Sequence, residues 1–266
     1  MWRLILDSAR SGQENMALDE ALWLSYKEEP AGPVLRFYQW SSSTLTLGRL
    51  QKLEDVNEEA CRQYGVSALR RPTGGGEVLH ERDLTFSLVL PVEGNALPKG
   101  ILASYRFLHQ ALAAGLRNFG LETRIFEPET ARRAKGGPEP CFTSWSRHDL
   151  VAEFGKVLGG AQRRGGGVLL HQGTLQLWPA RIPVQELLSR KIDDAAPRVQ
   201  RGPDLSEEEF KALPRVLAGS VADAFKVRMS LGEFRAVELQ RAESLLRGKY
   251  TQREWCLCEG SEGVLK

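Results

Sequence analysis

The chain has 266 residues, 42% hydrophobic and 26% charged, the make-up of a soluble globular protein with one large core or two modest ones. Its 36 basic and 34 acidic residues leave a formal charge of +2, too even for net charge to imply nucleic-acid binding. No apolar run is long enough to span a bilayer, the run opening at Trp2 ends at Asp7, and 4 irregularly spaced cysteines are too few for a disulfide framework, so a cytoplasmic protein with free thiols is expected.

In chain order, Ser11-x-x-Glu14 has the form of a capping box and predicts a helix over Met16–Trp23. Strands are predicted at Val34–Tyr38, Thr44–Leu47 and Val66–Leu69, with Val56, Ala60 and Tyr64 on one face of an intervening helix. The third strand runs into the glycine-rich stretch Arg70–His80, which the apolar segment Leu84–Leu90 leaves. A long helix is predicted from Ile101 to Phe119, stopped by Gly120. Residues Glu127–His148, with Pro128, Gly136, Gly137, Pro138 and Pro140, form a loop long enough to suggest function. Three strands follow at Asp149–Phe154, Lys156–Arg163 and Val168–Leu177. Helices are then expected at Glu207–Leu213, at Val216–Phe225 after a break at Pro214, and at Glu233–Arg247 after a short strand near Val227–Leu231. This order predicts an α+β fold of mixed sheets flanked by helices, with a catalytic domain over 1–230 and a small, mostly helical extension over 231–266 packed on it.

The stretch Arg70-Arg71-Pro72-Thr73-Gly74-Gly75-Gly76-Glu77-Val78-Leu79-His80 is the strongest local signal. Glycines without Cβ let a backbone take positive φ and turn N–H groups toward a ligand, and the flanking charges suit an anionic or polar one. A loose turn between strands has the same composition. The spacing matches neither a P-loop nor a dinucleotide fingerprint. A second glycine-rich segment, Gly155–Arg164, sets Lys156 at the start of a strand, and His171-Gln172-Gly173-Thr174 follows on the next. The remaining polar residues give weaker signals. His80 fits either a loop-shaping hydrogen bond or a satisfied core position, Arg71 either a ligand contact or an ion pair, and His109 a surface helix position. His148 and Asp149, as strand neighbours, would face opposite ways and make no triad. Cys61 fits packing, and Cys256-x-Cys258 does not complete a zinc site. The arginine pairs lack the aromatic platforms of nucleic-acid binders.

Together, Asn15-Met16-Ala17-Leu18-Asp19-Glu20, Arg36-Phe37-Tyr38-Gln39-Trp40 with Gly48 and Gln51, the Arg70–His80 loop, Gly155–Arg163 and His171–Thr174 make the chain resemble the lipoate–protein ligase and octanoyltransferase superfamily, which shares its core fold with biotin–protein ligases. The matches cover most of residues 10 to 180. The resemblance implies a biotin/lipoate ligase-type catalytic domain. Pro140-Cys141-Phe142 lies where a cysteine-dependent group, the octanoyl-[acyl carrier protein]:protein N-octanoyltransferases, carries its acyl-accepting cysteine. The resemblance therefore implies Cys141 and Lys156 as catalytic residues and Arg71, Gly74, Gly75, Gly76, His80, Gly159, Gly160 and Ala161 as substrate-binding, with no metal and no cofactor. A free thiol is only about 3% thiolate at pH 7, and an ammonium such as Lys156 could lower its pKa by the roughly 1.5 units needed to ionise half of it.

The implied donor is octanoyl-acyl carrier protein, and the implied acceptor a lysine of a lipoyl-domain or glycine-cleavage H-type protein. A monomer without nucleic-acid or membrane partners is expected. An ATP- and magnesium-dependent lipoate ligase, an amidotransferase between protein domains, and a non-catalytic carrier-binding paralogue remain as alternatives. Two departures from the family pattern stand out: Glu81 where aspartate is common, and Gly159-Gly160-Ala161 where Gly-Ser-Ala is common.

Overall fold

The computed structural model describes residues 1–94, 97–127, 145–190 and 203–258. The chain starts with β1 (Trp2–Leu6) and enters α1 (Gly12–Glu28) through the expected capping box, in which Ser11 Oγ accepts from Glu14 N–H and the Glu14 carboxylate accepts from Ser11 N–H. Then come β2 (Val34–Tyr38), β3 (Thr44–Leu47), α2 (Glu58–Gln63), β4 (Ser67–Arg70), β5 (Val78–His80), β6 (Leu84–Pro91), α3 (Ile101–Arg117) and β7 (Arg124–Ile125). The second half holds β8 (Leu150–Ala152), β9 (Gly155–Gly165), β10 (Val168–Leu175), α4 (Glu207–Phe225), β11 (Met229–Leu231), α5 (Ala236–Leu245) and β12 (Cys256–Cys258).

The strands form two sheets. The larger has the order β11-β1-β2-β6-β10-β9-β8-β7, parallel where β1 meets β11 and β2 and antiparallel elsewhere. The smaller, β12-β4-β3-β5, is parallel only between β3 and β4. Alternation along β6 separates two environments. Phe86, Leu88 and Leu90 face the main core with α3 and α4, while Thr85 and Ser87 face the other way and make side-chain hydrogen bonds. Helix α1 packs on β6 and β10 along one flank and on α5 and β4 along others, so almost all of it is buried, polar residues included. No helix among the described residues is long and apolar enough to cross a membrane.

The predicted break at Pro214 does not occur, because α4 runs unbroken through it. Proline removes one N–H and crowds the preceding turn, but Leu213, Leu217 and Val221 are anchored in the main core, and packing holds the helix through the defect. The last helix is shorter than Glu233–Arg247. It stops at Leu245 and widens into a π turn over Leu246–Tyr250, which directs Lys249 and Tyr250 onto Glu20. Strands β1, β5, β7 and β12 have no counterpart among the predicted ones; they are two to five residues long, too short for an alternation pattern to declare itself.

Candidate active site

A cavity of about 420 Å³ opens where β9 and β10 of the large sheet face the small sheet across the end of α1. Of the residues singled out from the sequence, Arg71, Gly75, Gly76, His80, Lys156, Gly159, Gly160 and Ala161 all line it, joined by Met16, Trp40, Thr46, Asp149 and Gln172. Gly74 is not among the lining residues, and Cys141 lies outside the described residues.

The glycine loop is held from behind by Arg71. This buried guanidinium donates through Nη2 to Gly74 O (2.5 Å) and Gly76 O (2.8 Å), and through Nη1 to Thr46 O (3.2 Å). In a trans peptide the N–H points opposite its carbonyl, so the N–H groups of Gly75 and Glu77 are turned away from the arginine. Gly75 has φ +94, and a Cβ built on Gly48 would stand 2.0 Å from Gly75 O. The family-pattern glycine at 48 is therefore required by the close approach of two backbones. Arg70 does for the next turn what Arg71 does for the loop, donating to Arg49 O (2.9 Å) and Gln51 O (2.6 Å). Both arginines thus act as clamps on main-chain carbonyls.

His80 sits at the far wall. Its Nδ1 lies 2.5 Å from Asp83 Oδ2, which fixes the Nδ1–H tautomer and leaves Nε2 to accept from Thr46 Oγ1 at 3.0 Å. Thr46 Oγ1 in turn accepts from Arg71 Nη1 at 3.3 Å, and the imidazole stacks on Trp40 with centroids 4.0 Å apart. His80 therefore shapes the loop through Thr46 and Arg71.

Lys156 is buried, with Nζ 2.8 Å from Asp149 Oδ2. That oxygen also accepts from Ser146 N–H at 2.6 Å. Burial pushes the Asp149 carboxyl above its ordinary pKa, and the Lys156 ammonium opposes the shift. A Cβ on Gly159 would meet Lys156 Cε at 2.7 Å, so the missing side chain is what lets the lysine lie across the strand. Asp149 is the main site residue that sequence reasoning missed. His148 has φ +76 and precedes β8, so the premise that 148 and 149 alternate on a strand fails, and the aspartate pairs with Lys156 instead.

The sequence matches the lipoyl protein ligase A/B catalytic domain family over residues 11–226. It is 34% identical over 265 residues to the octanoyltransferase LipM of Carboxydothermus hydrogenoformans, covering 96% of this chain and 97% of that one. LipM of Bacillus subtilis is 32% identical over 269 residues, covering 96% and 97%. The chain belongs to the lipoyl protein ligase A/B family. It is an acyltransferase of that family. In fold it is similar to a crystal structure of lipoate-protein ligase A bound with ATP, with a TM-score of 0.76 at 24% identity over 95% of this chain and 97% of that one.

Much of the pattern that signals the family lies beneath the cavity. Asp19 accepts from Arg36 Nη1 (2.7 Å), Tyr38 Oη (2.8 Å), Ser87 Oγ (2.7 Å) and Gln172 Nε2 (2.7 Å), all buried. Gln172 Oε1 accepts from Thr73 Oγ1 at 2.7 Å. A single hydrogen-bonded chain therefore runs from α1 through β10 to the start of the glycine loop. A fully buried carboxyl such as this is tolerated only because its oxygens meet four donors.

The departures from the family pattern also have physical reasons. Glu81 Oε2 accepts from the N–H groups of Arg181 (2.8 Å) and Ile182 (3.3 Å), a structural cap for a distant segment. Gly160 is matched to His171: a Cβ there would lie 2.6 Å from His171 Nε2. His171 is buried on the α3 side of the sheet, stacked on Phe86 at 5.6 Å, with Nδ1 3.1 Å from Gln162 Nε2. His109, expected at the surface, is buried beside it; its Nδ1 donates to His148 O at 2.6 Å. The helix face carrying His109 also carries Leu108 and Leu112, which decides its burial.

Proposed function

We propose that this enzyme transfers an octanoyl group from octanoyl-acyl carrier protein, through a thioester on Cys141, to a lysine of a lipoyl-domain or glycine-cleavage H-type protein. In the first half-reaction the Cys141 thiolate adds to the donor carbonyl and the carrier thiolate leaves. In the second the neutral acceptor amine adds to the enzyme thioester, the Cys141 thiolate leaves, and the amine loses its proton. Each addition places negative charge on the carbonyl oxygen, which preorganised donors stabilise.

The observation that carries this reading is the Lys156–Asp149 pair in the same cavity as the glycine loop. It fixes an ammonium beside a wall of glycines where a carbonyl and its chain can enter, and full-length relatives named octanoyltransferase support acyl transfer as the use of such a site. The cavity volume lies in the range of small-molecule sites. Burial of acyl methylenes at about 0.8 kcal/mol each supplies preference for chain length. On this reading the enzyme acts as a cytoplasmic monomer and needs neither metal nor nucleotide.

The test is intact mass after incubation with octanoyl-acyl carrier protein without ATP. The wild type gains one octanoyl group that hydroxylamine removes, and Cys141→Ala gains none. Acceptor acylation that requires ATP and survives Cys141→Ala would instead make the enzyme a lipoate ligase.

A further inference from the structure

The irregularity in β12 re-aims a cysteine. In an unbroken strand Cys256 and Cys258 would project from one face. Here Cys256 is opposite Leu69 and Cys258 opposite the adjacent Ala68, so β12 advances two residues for one on β4, as at a β-bulge. The two side chains part accordingly. Cys256 joins the cluster of Met16 and Leu69 and accepts from Gln13 Nε2 at 3.5 Å, while Cys258 packs into the cluster of Cys61, Val66 and Ala68. There Cys61 and Cys258 are neighbours in one apolar cluster. Val66 holds both residues: its N–H donates to Cys61 O at 2.8 Å, and its carbonyl accepts from Cys258 Sγ at 3.6 Å.

We propose that Cys61 and Cys258 form a reversible dithiol–disulfide site that staples the C-terminal strand to α2. The two thiols come from segments almost 200 residues apart in sequence, share one cluster, and are free in this structure. Their exposure differs in the way such a site needs. Cys61 is fully buried, whereas Cys258 is only partly covered and offers the point of entry for an oxidant. The neighbouring Cys61 thiol draws the Cys258 thiol down to about 7, so the more accessible sulfur is also the better ionised at neutral pH.

The oxidant is a low-molecular-weight disulfide such as oxidised glutathione. The Cys258 thiolate attacks one of its sulfurs, forming a mixed disulfide and expelling one glutathione thiolate. Cys61 gives its proton to that thiolate and attacks Cys258 Sγ, expelling the second glutathione, which takes up a proton from solvent. The protein loses two thiol hydrogens and the oxidant becomes two thiols; excess thiol reverses both exchanges. Neither cysteine lines the acyl cavity, so the link leaves the site open. It fixes the strand next to β4, and β4 runs directly into Arg70 and Arg71; Arg70 N–H already donates to Trp255 O at 2.8 Å.

The test uses the full chain with excess oxidised glutathione, followed by alkylation and peptide mapping without reduction. Expected are a loss of about 2 Da, one linked peptide pair holding Cys61 and Cys258, reversal by dithiothreitol, and a melting temperature several degrees higher in the linked form. Cys256→Ser keeps the link and Cys258→Ser abolishes it. A dominant link through Cys141 or Cys256, a glutathione adduct that persists on Cys258 while Cys61 remains alkylatable, or two thiols that stay unmodified would each overturn the proposal. A linked form that melts lower than the dithiol would overturn its role as a staple.

Discussion

Lys156 and Asp149 are worth more as a pair than either is alone, and that makes them separable by experiment. Both are buried, and an uncompensated buried charge costs about 3–5 kcal/mol, whereas replacing both partners with apolar residues is often neutral or stabilising. Asp149→Leu alone is therefore expected to lower stability by about 3 kcal/mol, and Asp149→Leu with Lys156→Met to recover most of it. Chemical denaturation of the two single variants and the double variant measures this, and a loss in the double variant equal to the sum of the two single losses would show that the pair is not coupled. Both variants carrying Asp149→Leu should lose most acyl uptake, since the ammonium is either misplaced or gone. The raised pKa of Asp149 sets a sign. Its protonated form is favoured in the fold, so this carboxyl contributes most to stability below its ordinary value of 3.8, and that contribution fades as pH rises through the folded pKa. Activity follows the opposite course, because only the ionised carboxylate holds Lys156: the acid limb of the rate profile should fall at a pH above 3.8.

Gly160 shows how a departure from a family pattern is read at the same scale. The usual serine would bring its Cβ within 2.6 Å of His171 Nε2, and the imidazole is stacked and buried where it cannot swing aside. Gly160→Ser is expected to cost about 1–3 kcal/mol by overpacking, measured as a fall in denaturation midpoint. His171→Ala in the same chain should relieve most of that loss. If Gly160→Ser proves neutral by itself, the ring moves freely and the two positions are independent.

At the scale of elements, α3 docks on the sheet partly through neutral histidines. His109 is fully buried, and burial pulls its pKa down to about 4. A depressed pKa means that the unfolded chain takes up a proton between about 6.5 and 4 while the folded one does not, so this residue's contribution is intact above 6.5 and is lost as pH falls through 4. The shift corresponds to up to about 3 kcal/mol. Stability measured from pH 7 to pH 4 should decline less steeply in His109→Gln than in the wild type; parallel curves would remove His109 as the cause.

What could be read of these elements beforehand follows the strength of local signals. The Ser11–Glu14 box, the three- and four-residue spacing along α3 and the glycines around β9 are interactions between near neighbours, and each element formed where its pattern indicated. The unbroken α4 depends on what faces Pro214 across the core, and β12 exists only because β4 offers an edge; neither fact is local. The same division runs through the site. Glycine spacing disclosed the loop and the Lys156 segment, whereas Arg71 as a carbonyl clamp and Asp149 as the lysine's partner appear only when distant strands are brought together.

For the whole molecule, Glu20 is the point where the C-terminal segment is tied to the site. Tyr250 Oη donates to Glu20 Oε2 at 2.7 Å, Lys249 Nζ lies 2.6 Å from the same oxygen, and Arg163 Nη1 is 3.1 Å from Oε1. Glu20 follows Asp19 on α1, and Asp19 reaches the glycine loop through Gln172 and Thr73. The last segment also covers Met16, Ala17 and Ala21 and supplies β12 to the small sheet, so it is an integral wall of the molecule. Tyr250→Phe removes one hydrogen bond from a buried carboxylate that keeps two cationic partners, an expected loss of about 1–3 kcal/mol, or roughly 2–12 °C in melting temperature for a chain of this size. Truncation after Gly232 should be far worse, exposing the α1 face and stripping the edge of β4, with both the thermal transition and acyl uptake lost. Calorimetry and acyl-uptake mass measured side by side decide the matter: a truncated chain that melts cooperatively near the wild-type temperature would mean that α5 and β12 rest on the fold without holding it together.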